Sequence, residues 1–170
     1  MTGFTRLLAM CAVCVLAQAQ QGPSRWADGQ GAHVPVPQGW SANQRLLDHG
    51  GPLSLTSFGG VYAPGGILPP LGAEIEIASF PRPRDLMETI RKELRGPQLN
   101  MQEASLGAQS GVRVSYRDSI SPEIELTTVV YYIPHGERLY KFFLSYRTGH
   151  PEGAALETSL EDVVRRAVLR

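Results

Sequence analysis

The sequence predicts an α+β domain built as an α/β/α sandwich, in which a central, mostly antiparallel β-sheet is flanked by helices. Three observations lead there. Between residues 102 and 146 four segments of strand character follow one another with only short glycine or proline turns between them, and strands joined so closely must run antiparallel. On either side of that run, apolar residues recur at helical rather than strand spacing. One of the four strands carries apolar residues on both of its alternating sets, which calls for cover on both faces of the sheet.

The first 19 residues have the form of a cleavable signal peptide. Arg6 supplies the positive start, Leu7 to Leu16 is apolar, and Ala17-Gln18-Ala19 is a small-x-small cleavage site. The apolar run of about ten residues is half of the roughly 20 that a bilayer span requires, so a retained transmembrane anchor is not expected. The only cysteines, Cys11 and Cys14, fall inside this segment. Bulky Met10 and Val13 stand where a lipoprotein signal has a small residue, so a lipid anchor is not expected either. Once the signal is removed, neither a disulfide nor a thiolate metal site is available. The expectation is an exported protein, periplasmic or extracellular, with residues 20–31 a flexible leader and 32–170 one domain around one core.

Charge narrows the partners. Lys and Arg total 16 against 16 Asp and Glu, and loss of Arg6 with the signal leaves 15 against 16. That balance argues against general nucleic-acid binding and against electrostatic docking on anionic lipid. The basic residues Arg82, Arg84, Arg91, Lys92 and Arg95 alternate with Asp85, Glu88 and Glu93, the pattern of a solvated helix.

Along the mature chain, His33-Val34-Pro35-Val36-Pro37 reads as an extended segment that its prolines confine to an edge or a strand entrance. Gly39-Trp40 is a turn with a large ring behind it, and Leu53 to Phe58 alternates as a short strand. Gly59 to Gly72 has no period and holds Gly59, Gly60, Gly65 and Gly66 ahead of Pro69-Pro70. Loops of that length are functional or disordered, and these glycines match neither a dinucleotide fingerprint nor a phosphate loop.

Ala73 to Phe80 is a strand with Ile75 and Ile77 on one face and Glu74 and Glu76 on the other, the glutamates turned to water or to basic neighbours. Asp85 and Glu88 are placed as N-cap and third-position carboxylate of a helix. Its apolar face is Leu86, Met87, Ile90 and Leu94, and Gly96-Pro97 stops it. Strands follow at Gln102 to Leu106, Val112 to Asp118, Ile124 to Ile133 and Leu139 to Tyr146. The third is central, and in the fourth Tyr140, Phe142, Leu144 and Tyr146 form a core-facing set. A closing helix is expected to open on a capping box at Thr158 and Glu161, with Leu156, Leu160, Val163, Val164 and Ala167 on the sheet side and Arg165, Arg166 and Arg170 at its negative end.

This layout resembles the PsbP-like family. The resemblance rests on the opening from Val34-Pro35-Val36-Pro37 to Gly39-Trp40, the Ala73 to Phe80 strand, the helix from Asp85, the Gly107-Ala108-Gln109-Ser110-Gly111-Val112-Arg113 link, the Thr127 to Pro134 strand, the Gly136-Glu137-Arg138-Leu139-Tyr140 hairpin and the closing helix. It covers about residues 32 to 169. It implies a central antiparallel sheet between helices, in a family whose members act mainly as binding or assembly subunits. Fold alone does not fix function, and no functional residue carries over, because the family has no shared functional motif to align.

The residues themselves offer no catalytic or metal signature. His33, His49, His135 and His150 are far apart, with no paired histidines on a helix. No G-x-S-x-G elbow is present. Glu74 with Glu76, and Glu123 with Glu125, are carboxylates two apart that read as solvated strand faces rather than a glycosidase pair. The leading expectation is therefore a non-catalytic binding or assembly module, with no cofactor or metal, that engages an envelope protein partner. Its expected contacts are Val61, Tyr62, Ile67 and Leu68 of the long loop, and Trp40 if its ring lies outside the core. A small-ligand carrier or unrecognised hydrolase, with a pocket between sheet and helix, is the alternative; a structural role with a disordered loop is the third.

Overall fold

A computed structural model of the chain describes residues 25–43, 47–62, 66–94 and 98–170. The signal peptide, both cysteines and the Gly96-Pro97 helix stop lie outside the described residues.

The elements, in chain order, are β1 (Trp26–Gly29), β2 (Ala32–Pro35), β3 (Ser41–Asn43), β4 (Leu53–Thr56), β5 (Ala73–Pro81), α1 (Leu86–Glu93), β6 (Asn100–Leu106), β7 (Gln109–Ser121), β8 (Ile124–His135), β9 (Arg138–Arg147), α2 (Gly153–Arg166) and β10 (Val168–Leu169). Seven strands form one sheet in the order β3-β4-β5-β9-β8-β7-β6, and β1, β2 and β10 form a second, small sheet. Every described pairing is antiparallel. The architecture is the predicted α+β sandwich, with α1 on one face of the large sheet and α2 with the small sheet on the other.

The alternation of side chains decides what each face buries. Ile75, Ile77, Val129, Tyr131, Ile133, Tyr140, Phe142 and Leu144 share one core with Leu156, Leu160, Val163 and Val164 of α2. The opposite set, Val112, Val114, Val130, Tyr132 and Leu139, packs with Ile90 of α1. Strand β8 is thus central and covered on both sides, as its two apolar sets require. Fully burying one such aliphatic side chain contributes about 1.5–3 kcal/mol, so these two interfaces carry most of the fold.

Helix α1 begins as its sequence demands: the Glu88 amide donates to Oδ1 of Asp85 at 2.8 Å, satisfying an amide that the helix leaves without a partner. The closing helix does not. It starts at Gly153, five residues ahead of the expected capping box, and Thr158 is an interior residue whose hydroxyl donates back to the Ala154 carbonyl at 3.0 Å. A threonine in mid-helix satisfies its hydroxyl in this way, so its presence did not mark a start. The entry is closed instead by a backbone turn, in which the Gly153 amide donates to the His150 carbonyl and the Glu152 amide to His150 Nδ1.

The expected leader is also corrected. From Trp26 it is strand β1, paired with β2 from Trp26↔Pro35 to Gly29↔Ala32. Gln30 and Gly31 both have positive φ, 56° and 78°, which builds a two-residue hairpin turn of the type whose twist suits antiparallel strands. The glycine there is a turn requirement rather than a sign of flexibility, and Trp26 stacks on His33 at 4.6 Å. Pro35 is tolerated in the middle strand because β10 pairs only with Ala32 and His33. Tyr140 ties the small sheet to the large one, its hydroxyl reaching the carbonyls of Gly31 and Arg170.

Candidate functional site

Two places merit attention, the long loop singled out by its glycines and a polar trough that only folding assembles.

The described parts of the loop, residues 59–62 and 66–72, are docked on the α1 side of the large sheet, over β4 and β5. Its neck is closed where the Ser57 amide donates to the Ala73 carbonyl and the Ala73 amide to Ser57 Oγ at 2.9 Å. Gly72 is required by close approach, since a Cβ there would lie 2.8 Å from Phe58 and 2.9 Å from Pro69. Tyr62 donates to Oε1 of Glu74 at 2.6 Å, Ser54 donates to the same oxygen at 2.5 Å, and the guanidinium of Arg147 reaches the Leu68 carbonyl at 3.1 Å. Phe58 meets Tyr62 edge to face at 5.1 Å.

These contacts sort the expected contact residues. Leu68 is buried, Tyr62 and Ile67 are half-buried, and Val61 is 76% exposed. Of the two positions open to Trp40, the ring takes the core, 8% exposed among the residues packed between the sheets. Leu71, which the loop's pattern did not single out, is 69% exposed.

Beneath the loop, Glu74 and Glu76 share a sheet face. Burial raises the Glu76 carboxyl above the usual carboxylate range, the Glu74 charge adds to this, and Lys141 opposes it. Burial, reinforced by the bond to Glu74, likewise raises the Tyr62 phenol, so it remains a donor.

The trough lies on the opposite face. Alternation along β7 turns Arg113, Ser115 and Arg117 to the α2 side, opposite Tyr131, Val129 and Thr127 of β8, and β9 contributes Tyr146 opposite Thr127. The first turns of α2 overhang this row without covering it. A cavity of about 500 Å³ lies at the start of α2, between Arg117, Tyr146, Thr148 and Glu161. A second of about 690 Å³ extends to Asn100 at the end of β6. They share Arg117, Thr127 and Glu157, so they form one polar depression.

Its acids are already engaged. Glu157 accepts from Arg113 at 2.7 Å and from Tyr146 at 2.8 Å, while Glu161 accepts from Tyr131 at 3.2 Å. Burial together with these carboxylates pushes the Tyr146 and Tyr131 phenols up to about 12, so both are permanent donors. Ser115 Oγ accepts from Arg113 at 3.3 Å, which withdraws electron density from the hydroxyl, the reverse of what nucleophile activation needs. Arg117 is different: it is 69% exposed, and its ion pair with Glu125 is long, at 3.9 Å. The trough's spare hydrogen-bonding capacity therefore lies on the donor side.

On the α1 side, a smaller cavity of about 270 Å³ opens between α1 and β5, with Phe80, Pro81, Pro83 and Leu139 as walls. The ion pair of Lys141 and Glu93 closes its floor, and Tyr132 donates to Glu93 at 3.3 Å.

Sequence reasoning placed Val112 to Asp118 in a strand, so the shared face of Arg113, Ser115 and Arg117 was implicit in its alternation. What the chain does not spell out is that Glu157 and Glu161, one helical turn apart on α2, would sit above that face.

No family model matches the sequence, and no curated protein does. Solved structures do resemble the fold. A protein from Bacteroides thetaiotaomicron superposes with a TM-score of 0.54 at 15% identity, over 88% of this chain and 49% of that one; the present chain spans about half of its length. LpqN of Mycobacterium tuberculosis, described as involved in cell envelope biogenesis, superposes with a TM-score of 0.51 at 14% identity, over 88% of this chain and 87% of LpqN. The cyanobacterial PsbP of Synechocystis sp. PCC 6803 is also among the similar structures, with a TM-score of 0.46 and 13% identity over 89% of this chain and 96% of that one. The α+β sandwich is thus a fold that this chain shares with solved structures, LpqN among them. At these identities the likeness is one of fold. No helix among the described residues is long and apolar enough to cross a membrane.

Proposed function

We propose that the chain is an exported, non-catalytic binding or assembly module that engages a protein partner of the cell envelope. The carrying observation is the loop from Gly59 to Gly72: Tyr62, Leu68 and the Ser57–Ala73 neck hold its described parts against the sheet, while Val61 and Leu71 stand exposed at 76% and 69%. Apolar atoms presented on a tethered loop lose little conformational freedom on binding, which is how pre-organisation favours affinity. In this reading Val61 and Ile67, with Leu71, make the contact, Tyr62 and Leu68 hold the loop in shape, and Trp40, buried in the core on the other side of the sheet, takes no part. Export rests on the signal-like first 19 residues, and the similarity to LpqN, an envelope-biogenesis protein, is compatible with that address.

The test is affinity purification of the C-terminally tagged full-length chain from gently crosslinked native envelope, beside the double variant Val61→Ser, Leu71→Ser. Both side chains are exposed, so the fold is retained. A stoichiometric partner present with the natural chain and absent with the variant supports the reading; identical eluates remove the loop from it.

The polar trough favours a second reading, a small-ligand carrier or unrecognised hydrolase using the space between sheet and helix. A shift in melting temperature with a small polar ligand, abolished by Thr127→Val, supports it over the first.

A further inference from the structure

We propose that the open edge of β7, from Tyr116 to Ser119, receives an extended, acid-bearing peptide segment of a protein partner, which joins the sheet in the line of β6. This rests on the reading of the chain as a binding module and names the chemistry of what it binds.

Strand β6 pairs with β7 only from Leu106↔Gln109 to Asn100↔Ser115. Strand β7 continues to Ser121 with β8 along its other side. Among the described residues no strand flanks Tyr116 to Ser121 on the outer side. A strand edge left this way presents N–H and C=O groups ready to pair with another chain, and adding a strand to such an edge is a recurrent mode of peptide recognition. The register shifts between Ser119 and Ser121, and an irregularity of that kind turns the backbone out of line, so the usable edge ends at Ser119.

The space for a strand is present where β6 stops. The cavity of about 690 Å³ begins at Gln98, Leu99 and Asn100 and runs past Ser115 and Tyr116 to Arg117. Charge selects the occupant. Arg113 is 15% exposed and committed to Glu157, whereas Arg117 is 69% exposed with its acid 3.9 Å away. A carboxylate on the incoming strand opposite Arg117 completes a pairing that the chain leaves loose. A second copy of this chain fits less well. Two-fold antiparallel pairing centred on this short edge sets Arg117 against Arg117 or Asp118 against Asp118, and like charges directly opposite each other in a sheet are destabilising.

The test begins with a random peptide library displayed on phage and selected on the full-length chain. Enriched peptides are expected to carry Asp or Glu beside residues of high strand propensity. Synthetic versions are then titrated by fluorescence anisotropy against the natural chain and Arg117→Glu, whose side chain is exposed so that its melting temperature should be unchanged. The expected result is a loss of about tenfold with Arg117→Glu, as for a close charge pair at an interface, recovered by the peptide with Lys in place of its acid. Methylating alternate backbone nitrogens of the peptide is expected to abolish binding in one of the two registers, which a side-chain dock would not show. Failure to enrich acidic peptides, affinity indifferent to Arg117→Glu, or indifference to N-methylation in both registers overturns the proposal. So does a dimer seen by light scattering that Arg117→Glu dissociates, since the occupant would then be a second copy. If the envelope purification returns its partner equally well with Arg117→Glu, the edge proposal falls and the module reading stands; if no partner and no peptide is recovered, both fall.

Discussion

Arg113 on β7 and Glu157 on α2 meet at 2.7 Å, 44 residues apart in the chain. Glu157 also takes the Tyr146 hydroxyl at 2.8 Å, so one carboxylate joins α2 to two strands, beside the Glu161–Tyr131 bond to a third. Removing it leaves a guanidinium, 15% exposed, without its carboxylate and with Ser115 Oγ still to donate to. Because Glu157 itself is 31% exposed, water moderates the loss, and Glu157→Ala should cost about 1–3 kcal/mol. Urea denaturation of Arg113→Ala, Glu157→Ala and the double variant checks this: the double should cost less than the sum of the singles by about 1 kcal/mol. Additive losses would mean that the pair is not coupled.

Gly111 lies on β7 where a Cβ would fall on the backbone carbonyl of Tyr132 on the neighbouring strand. Backbone in the middle of a sheet gives way poorly, so Gly111→Ala should destabilise by about 3 kcal/mol, at the upper end of overpacking, visible as a large fall in melting temperature. Gly39→Ala is the contrast. Nothing lies within 4 Å of a Cβ there, and only its φ of +80° resists, at about 1 kcal/mol.

Tyr62 holds the loop through a single hydroxyl. Tyr62→Phe keeps the ring on Phe58 and loses the bond to Glu74, a change of about 1 kcal/mol. Its consequence should be local, with limited proteolysis between Gly59 and Gly72 several times faster, as expected when local opening becomes less costly by that amount, while the global melting temperature moves little. Unchanged cleavage would show that the loop is held elsewhere.

Glu76 gives the protein a pH dependence of definite sign. Its carboxyl is raised by burial and by the Glu74 charge; a raised acid binds its proton more tightly in the folded state, so its contribution to stability is present below the unfolded carboxylate value of about 4.3 and is lost as pH rises through the folded value. Glu76→Gln, which stays neutral, should therefore be more stable than the natural chain at neutral pH, and this advantage should vanish at pH values below the carboxylate range. Melting curves of the two proteins across that interval decide it; a constant difference would mean that the Glu76 charge is not what matters.

Strands β5, β8 and β9 and helix α1 were legible because their signals are local. Alternation in Ala73 to Phe80, two apolar sets in Ile124 to Ile133, and Asp85 three residues ahead of Glu88 each report on neighbouring side chains and amides. The misreadings are equally physical. Thr158 has the chemistry of a cap, yet a hydroxyl can bond to a carbonyl one turn back as readily as to a free amide. Gly29 and Gly31 look like leader residues until β2 and Tyr140 are in place to receive the hairpin. The short strands β3 and β10, of three and two residues, are too brief to show a period.

The sequence by itself determined the class of the fold, the two-sided cover of β8 and the position of the long loop, because periodicity and turn chemistry are properties of adjacent residues. Only the tertiary structure decided that the loop is tied down through Glu74, that Trp40 lies inside, that Arg113, Tyr146 and Glu157 share one site, and that β6 ends short of β7, leaving an edge open among the described residues. Each of those depends on which helix face meets which sheet face and where one strand stops beside another, and such meetings are set by packing between distant segments, which no local pattern encodes.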